Sequence, residues 1–253
     1  MKTNRARWFT KGRTAPIRVV VIHDMEASEA GDTAERVAQY FHTTSTKASA
    51  HICVDNDSAV RCVDDDDTAW AAPGCNHVGL QLEIAGYARQ SRAEWLDDYS
   101  KAALGQAAKV TAAWCVAYDV PVVHLTVAQL KAGKRGIVGH VDVSNAYKRT
   151  DHGDPGPGFP WDYFLGLVRD QADMTTEDIV KALPLLKRGS QAGEHVETLQ
   201  GLLIARSHRE VKVTGVFDKV TEDAVKEVQE WGHLDPDGRV GPKTWPVLLR
   251  VHI

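Results

Sequence analysis

Three short apolar runs, each carrying or leading into an ionisable residue, set the tightest limit on how this chain can fold. Arg18-Val19-Val20-Val21-Ile22 is β-branched and reads as a buried strand ending on His23. Val78-Gly79-Leu80-Gln81-Leu82-Glu83-Ile84 alternates like a strand, and Gly136-Ile137-Val138-Gly139 is a third that leads into His140. Helical spacing lies between them. Asp32 with Glu35 three residues on marks a helix start ahead of Val37, Tyr40 and Phe41. Residues 98–118 predict a long alanine-rich helix with Leu104, Ala107, Val110, Trp114 and Tyr118 on one stripe. Strands that alternate with helices specify an α/β layer fold. Residues 51–54 and 59–63 read as a hairpin, and a two-residue turn at Asp57-Ser58 would set Cys53 opposite Cys62.

A length of 253 residues allows one large domain or two smaller ones. The texture changes after Pro184, where an internal repeat begins. Gly215-Val216-Phe217-Asp218-Lys219-Val220-Thr221, running on to Val225, matches Gly238-Arg239-Val240-Gly241-Pro242-Lys243-Thr244, running on to Leu248. Each copy reads as a glycine turn, a buried anchor and a helix start. A further helix over 196–207 precedes them, which makes a three-helix unit of ~65 residues, near the lower limit for independent stability. The expected organisation is a domain over 1–170, a linker over 171–184 that is polar at its start, and a domain over 185–253. Ten basic and ten acidic residues leave that last domain neutral, so charge does not explain what it binds.

Thirty basic against 34 acidic residues, a net charge of −4, exclude a strongly basic nucleic-acid binder. Locally, residues 1–18 hold six basic residues and no acidic one. They read as a solvated N-terminal arm, the alternative being a patch for an anionic surface. Asp64-Asp65-Asp66-Asp67 reads as a solvated acidic loop. No apolar run approaches the ~20 residues of a spanning helix. The basic start lacks a following apolar segment, so the expectation is no export signal and synthesis in a cytoplasm. Cys53, Cys62, Cys75 and Cys115 lack a zinc-finger spacing and are expected as buried thiols, although Cys53 and Cys62 could oxidise after release from the cell.

His23, His140 and Asp154 stand out among the candidates for chemistry. Two imidazoles and a carboxylate from separate elements are a usual catalytic zinc set with a fourth position left for water. Spacing alone leaves open that these histidines cap strands or bond locally. Glu83 lies inside an apolar strand, where an unpaired carboxylate is costly. It reads either as half of a buried ion pair or as a catalytic base. His152, two residues before Asp154, could donate to a developing oxyanion or could be an ordinary loop histidine.

Residues 16–165 resemble the zinc amidases of the N-acetylmuramoyl-L-alanine amidase and peptidoglycan-recognition superfamily. The resemblance rests on Val20-Val21-Ile22-His23, Ser49-Ala50-His51, Ala69-Trp70-Ala71-Ala72-Pro73, Asn76, residues 80–86, Gly139-His140 and Asp154-Pro155-Gly156-Pro157, in that order. It implies a mixed central sheet flanked by helices, zinc held by His23, His140 and Asp154, and Glu83 at the catalytic acid position. Residues 185–253 resemble the three-helix bacterial peptidoglycan-binding domain, through Leu186-Lys187-Arg188-Gly189-Ser190, Val196, Leu199-Gln200, Gly215-Val216-Phe217, Thr221, Ala224-Val225, Gln229, Asp237-Gly238 and residues 240–245. Together they imply a bacteriophage endolysin whose partner is peptidoglycan rather than nucleic acid or membrane; the oligomeric state is left open, with a monomer the expectation. The rival expectations are a recognition protein that binds without cleaving and a zinc peptidase that cuts the stem peptide. The chain departs from its relatives at Ala71, often His; at Gln81, often Gly; at His152, Lys in some; and at Asp218, commonly Gly.

Overall fold

The computed structural model describes residues 1–173, 180–190 and 192–250, and the chain divides into two compact units, Met1–Asp173 and Met174–Ile253. Of the expected linker, 174–179 lie outside the described residues. Among the described residues no helix is long and apolar enough to cross a membrane.

The first unit is built on a six-stranded mixed sheet. Its strands are β1 (Lys2–Thr3), β3 (Val19–Asp24), β4 (Ile52–Val54), β5 (Ala59–Arg61), β7 (Gly79–Ile84) and β8 (Gly136–Gly139), in the spatial order β1-β5-β4-β7-β3-β8. Only β4 and β5 pair antiparallel. β2 (Phe9–Thr10) and β6 (Thr68–Ala69) form a separate two-stranded ribbon. The period of two explains why the strands read as continuous apolar runs, since both faces are covered. Val20, Ile22, Leu80, Leu82, Ile84 and Ile137 face one way, into a core closed by α2 (Asp98–Ala117) and α5 (Trp161–Ala172). Val19, Val21 and Val138 face the other way, toward Leu130 of α3 (Val127–Lys131) and Val143 of α4 (His140–Tyr147). On that second face Cys53 and Val60 pack with Ala34, Ala38 and Phe41 of α1 (Thr33–Thr43).

Three local expectations are corrected. The hairpin pairs Cys53 with Val60 and Val54 with Ala59, two residues out of the expected register. The cause is Asp55, whose Oδ1 accepts from the backbone N–H of Asp57 and of Ser58 and so closes a wider turn. Cys53 and Cys62 remain diagonal neighbours with sulfurs 3.8 Å apart, and all four cysteines are free and buried. The start of α1 is capped from outside. Asp32 makes no side-chain cap, whereas Asp55 Oδ2 accepts from the Ala34 N–H and Glu35 binds Lys2. Finally, the basic arm and the acidic loop are not separate solvated segments but partners. Arg5 pairs with Asp64 and Asp67, Lys11 with Asp67, and Arg13 donates to the Asp65 carbonyl. That pairing takes up charge that a docking patch for an anionic surface would need.

In the second unit, α6 (Gly193–Ala205), α7 (Lys219–Trp231) and α8 (Thr244–Leu249) enclose Val196, Leu199, Leu203, Phe217, Val225, Trp245 and Leu248. The repeat has a physical basis in two buried glutamines. Gln200 Oε1 accepts from the N–H of Thr214 and Gly215, while its Nε2 donates to the Val216 carbonyl and Thr221 Oγ1. Gln229 Oε1 accepts from the Gly238 N–H, and its Nε2 donates to the Arg239 carbonyl and Thr244 Oγ1. Each glycine turn is thus read by one amide and tied to the threonine that begins the next helix. Asp218 caps α7, accepting from the Thr221 N–H at 2.8 Å.

Candidate metal centre and active-site cleft

The sheet's parallel strands bring His23, Glu83 and His140 to their C-terminal edge, where ligands of open α/β sheets collect. His23 and Glu83 sit side by side in the β3–β7 register, both on the face opposite the apolar core, and His140 is the first residue after β8. Asp154 arrives on the turn of residues 154–158. Its carbonyl accepts from the Val141 N–H, and Gly156, at φ 83°, packs so tightly that a Cβ there would lie 1.9 Å from the Ala88 carbonyl. Only glycine fits that backbone.

His23 Nδ1 lies 3.0 Å from Asp154 Oδ2, and His140 Nδ1 lies 3.2 Å from Asp154 Oδ1. Among the described residues these three make the only group of three or more metal-type donors, with ligand atoms all within 4.8 Å of one another and all three residues buried. The outer nitrogens are already engaged, His23 Nε2 with Gln81 Oε1 at 2.9 Å and His140 Nε2 with Thr150 Oγ1 at 3.3 Å. Two imidazoles turned onto one buried carboxylate offer a set that could hold a cation, and two nitrogens and a carboxylate suit zinc.

The electrostatics follow from this crowding. Burial alone would lower His23, but its hydrogen bond to Asp154 and the charges of Glu83 and Asp154 carry it up to about 9. Burial would raise Asp154, yet hydrogen bonds from His140 and His23 hold it well below the usual carboxylate range. Burial pushes Glu83 up to about 8, opposed by His23 and reinforced by Asp154 and Asp24. Burial lowers His140, against its hydrogen bond to Asp154.

These groups line a cleft of about 460 Å³. Its apolar side is Met25, Val37, Tyr40 and Phe41, with Trp70 at the edge; Trp70 is pinned by its indole N–H on Thr10 Oγ1. His152 stands exposed at the rim, stacked on His140 with centroids 4.6 Å apart and Nδ1 3.6 Å from Asp154.

A sequence profile of N-acetylmuramoyl-L-alanine amidases matches residues 13–157, more than half of the chain. The chain belongs to that amidase family. A peptidoglycan binding domain profile matches residues 192–248. The amidase fold is shared with AmiA, a hydrolase of Staphylococcus aureus solved in complex with its ligand. That match has a TM-score of 0.52 at 18% identity, covering 68% of this chain and 82% of the other. The N-acetylmuramoyl-L-alanine amidase LysC of Clostridium intestinale matches with a TM-score of 0.44 at 12% identity, covering 66% and 96%. A mutant endolysin from Bacillus subtilis gives 0.45 at 15%, covering 66% and 97%. No curated protein matches the chain.

Three residues of this amidase site escape a reading of the sequence. Asp24, next to His23 at the strand end, is buried in the cleft wall with Oδ2 unpartnered, and burial pushes it up to about 7. A second acid directly after the strand histidine was the available signal. Gln81 and Thr150 act through hydrogen bonds to imidazoles 58 and 10 residues away, which no local pattern announces.

Proposed function

We propose that the first unit hydrolyses the amide between the lactyl group of N-acetylmuramic acid and L-alanine, and that the second unit holds the enzyme on peptidoglycan. The convergence of His23, His140 and Asp154 beside Glu83 in one cleft carries this reading, together with the family match. A zinc ion held by the two histidines and Asp154 would polarise the scissile carbonyl and lower the pKa of the attacking water towards ~7. Glu83, buried and without a protein hydrogen bond among the described residues, accepts the water proton and passes it to the leaving amine. Burial raises the affinity of Glu83 for a proton, as suits a group that must hold one between the two halves of that transfer. His152, at the rim beside Asp154, donates to the developing oxyanion. The apolar wall from α1 takes the methyl-bearing side of the substrate.

The second unit contributes effective concentration on an insoluble polymer rather than chemistry. We read the pairing of the two units as that of a bacteriophage endolysin, held in the host cytoplasm until lysis and then acting on the wall. Mass spectrometry of purified peptidoglycan after digestion tests the reaction. A new L-alanine amino terminus is expected. A new cross-link amine would mark a peptidase instead, and unchanged walls that retain the protein would mark a binder.

A further inference from the structure

The hydrogen bond between Gln81 and His23 does more than fill space. We propose that Gln81 is a positioning residue that fixes the tautomer of His23 and so presets Nδ1 as a metal ligand. This rests on reading His23, His140 and Asp154 as the metal centre. Gln81 lies on β7 two residues before Glu83 and pairs in register with Val21, so it stands diagonal to His23 on the same face of the sheet. Its Oε1 is 2.9 Å from His23 Nε2, and both side chains are buried. An amide oxygen can only accept, and a neutral imidazole carries one N–H. In the neutral form that ligates a metal the proton is therefore kept on Nε2, and Nδ1, which faces Asp154 and His140, is the nitrogen left free to bind the ion. The opposite amide orientation would put the proton on Nδ1, where it would exclude a metal.

Two further observations mark the amide as held there for this bond. Gln81 Nε2 is buried with no hydrogen-bond partner, a cost that an apolar side chain among Val19, Val21 and Val138 would avoid. Space is also kept for it, because a Cβ on Gly79 would fall 2.9 Å from that nitrogen. The backbone of Gln81 is clamped by His51, whose ring Nδ1 accepts from the Gln81 N–H at 2.9 Å and whose backbone N–H donates to the Gln81 carbonyl at 3.0 Å. The second histidine lacks such a device. His140 Nε2 meets the Thr150 hydroxyl, which can donate or accept and so imposes no tautomer.

The test uses the full chain loaded with zinc. Ring 15N shifts of the wild-type protein should assign zinc to His23 Nδ1 and hydrogen to Nε2; zinc on Nε2 overturns the proposal without any variant. Competition with a chromophoric chelator then gives zinc affinity. Gln81→Leu should weaken it ~10–100-fold, the usual effect of removing a group that orients a ligand. Gln81→Glu, which keeps the acceptor, should return it to within a few-fold of wild type. Wild-type affinity in Gln81→Leu, or equal loss in both variants, overturns the proposal. His23→Ala separates the two readings: if it also keeps zinc, the metal centre itself is misassigned, whereas loss in His23→Ala alone removes only the role of Gln81.

Discussion

Replacing Glu83 by glutamine keeps the shape of the side chain and removes its ability to accept a proton. The structure predicts where the damage falls. The Glu83 side chain makes no hydrogen bond to the protein among the described residues, so the only interaction lost is its charge on His23, and zinc should remain bound by His23, His140 and Asp154. Turnover on a soluble muropeptide should fall by ~10²–10⁴, or about 3–5 kcal/mol of barrier. Stability of the metal-free protein should move the other way. The folded carboxyl is raised from 4.5 to about 8 by burial. The unfolded chain therefore gives up its proton first, and wild-type stability falls as pH rises from 4.5 towards 8, by up to about 5 kcal/mol. Glutamine removes that slope. Part of the gain is offset, because the Glu83 charge also supports the proton on His23. Even ~1 kcal/mol would raise the melting temperature of this unit by about 2–4 °C at pH 8–9. Elemental analysis, a free-amine assay and thermal unfolding at pH 5 and pH 9 cover the three outcomes. Wild-type turnover in a zinc-replete Glu83→Gln protein, or a melting point lowered at pH 9, would refute the reasoning.

At pH 7 zinc binding to the metal-free protein should release a proton from His23, which is held up to about 9 and must lose it to ligate, and a further share from the neighbouring Glu83; affinity should rise with pH until about 9. Calorimetry in two buffers of different ionisation enthalpy reads this directly, and buffer-independent heats would contradict it. Gly156→Ala should cost more than the ~1–3 kcal/mol of backbone strain alone and should weaken zinc binding by shifting Asp154, because its Cβ meets the Ala88 carbonyl. Unchanged melting and zinc affinity would show that the turn can move. Gln229→Leu should destabilise the second unit by ~1–3 kcal/mol for each donor or acceptor left buried, the Gly238 N–H first. Residues 177–253 carrying it should pellet less with purified walls, and undiminished pelleting would separate the turn from binding. A chain ending at Asp173 should still cleave soluble muropeptide and be weaker on intact walls; equal rates on walls would remove the tether from the account.

The architecture was legible because apolar strands and amphipathic helices alternate over short distances, and strand ends carrying His23, Glu83 and His140 are local facts. The repeat was legible for the same reason, although its cause was not. Gln200 and Gln229 lie outside the repeated heptads and act through bonds spanning 9 to 21 residues. Most of what failed shared one feature, a partner distant in sequence. The cap of α1 comes from Asp55, 21 residues on, and the charges of Arg5 and Lys11 are met by residues more than fifty positions away. The hairpin register slipped by two because one carboxylate could organise a wider turn than the dipeptide suggested. Asp154 meets His23 across 131 residues, and only family resemblance paired them beforehand.

The two faces of the sheet divide the work between stability and chemistry. One face is apolar from β4 to β8 and is sealed by α2 and α5, so the fold does not depend on what the other face carries. That freedom lets the opposite face gather His23, Glu83 and, from flanking segments, His140 and Asp154, while Asp24, in register with Ile84 at the strand end, adds a third buried carboxylate to the cleft wall. In the absence of a cation such a cluster is a net cost to folding. A divalent ion reverses the sign of that cost for the three carboxylates, and it does so only if the imidazoles present bare nitrogens. Metal binding, the proton inventory of the cleft and the stability of the first unit are therefore one linked equilibrium, in which a change at His23 or Gln81 must appear in all three measurements.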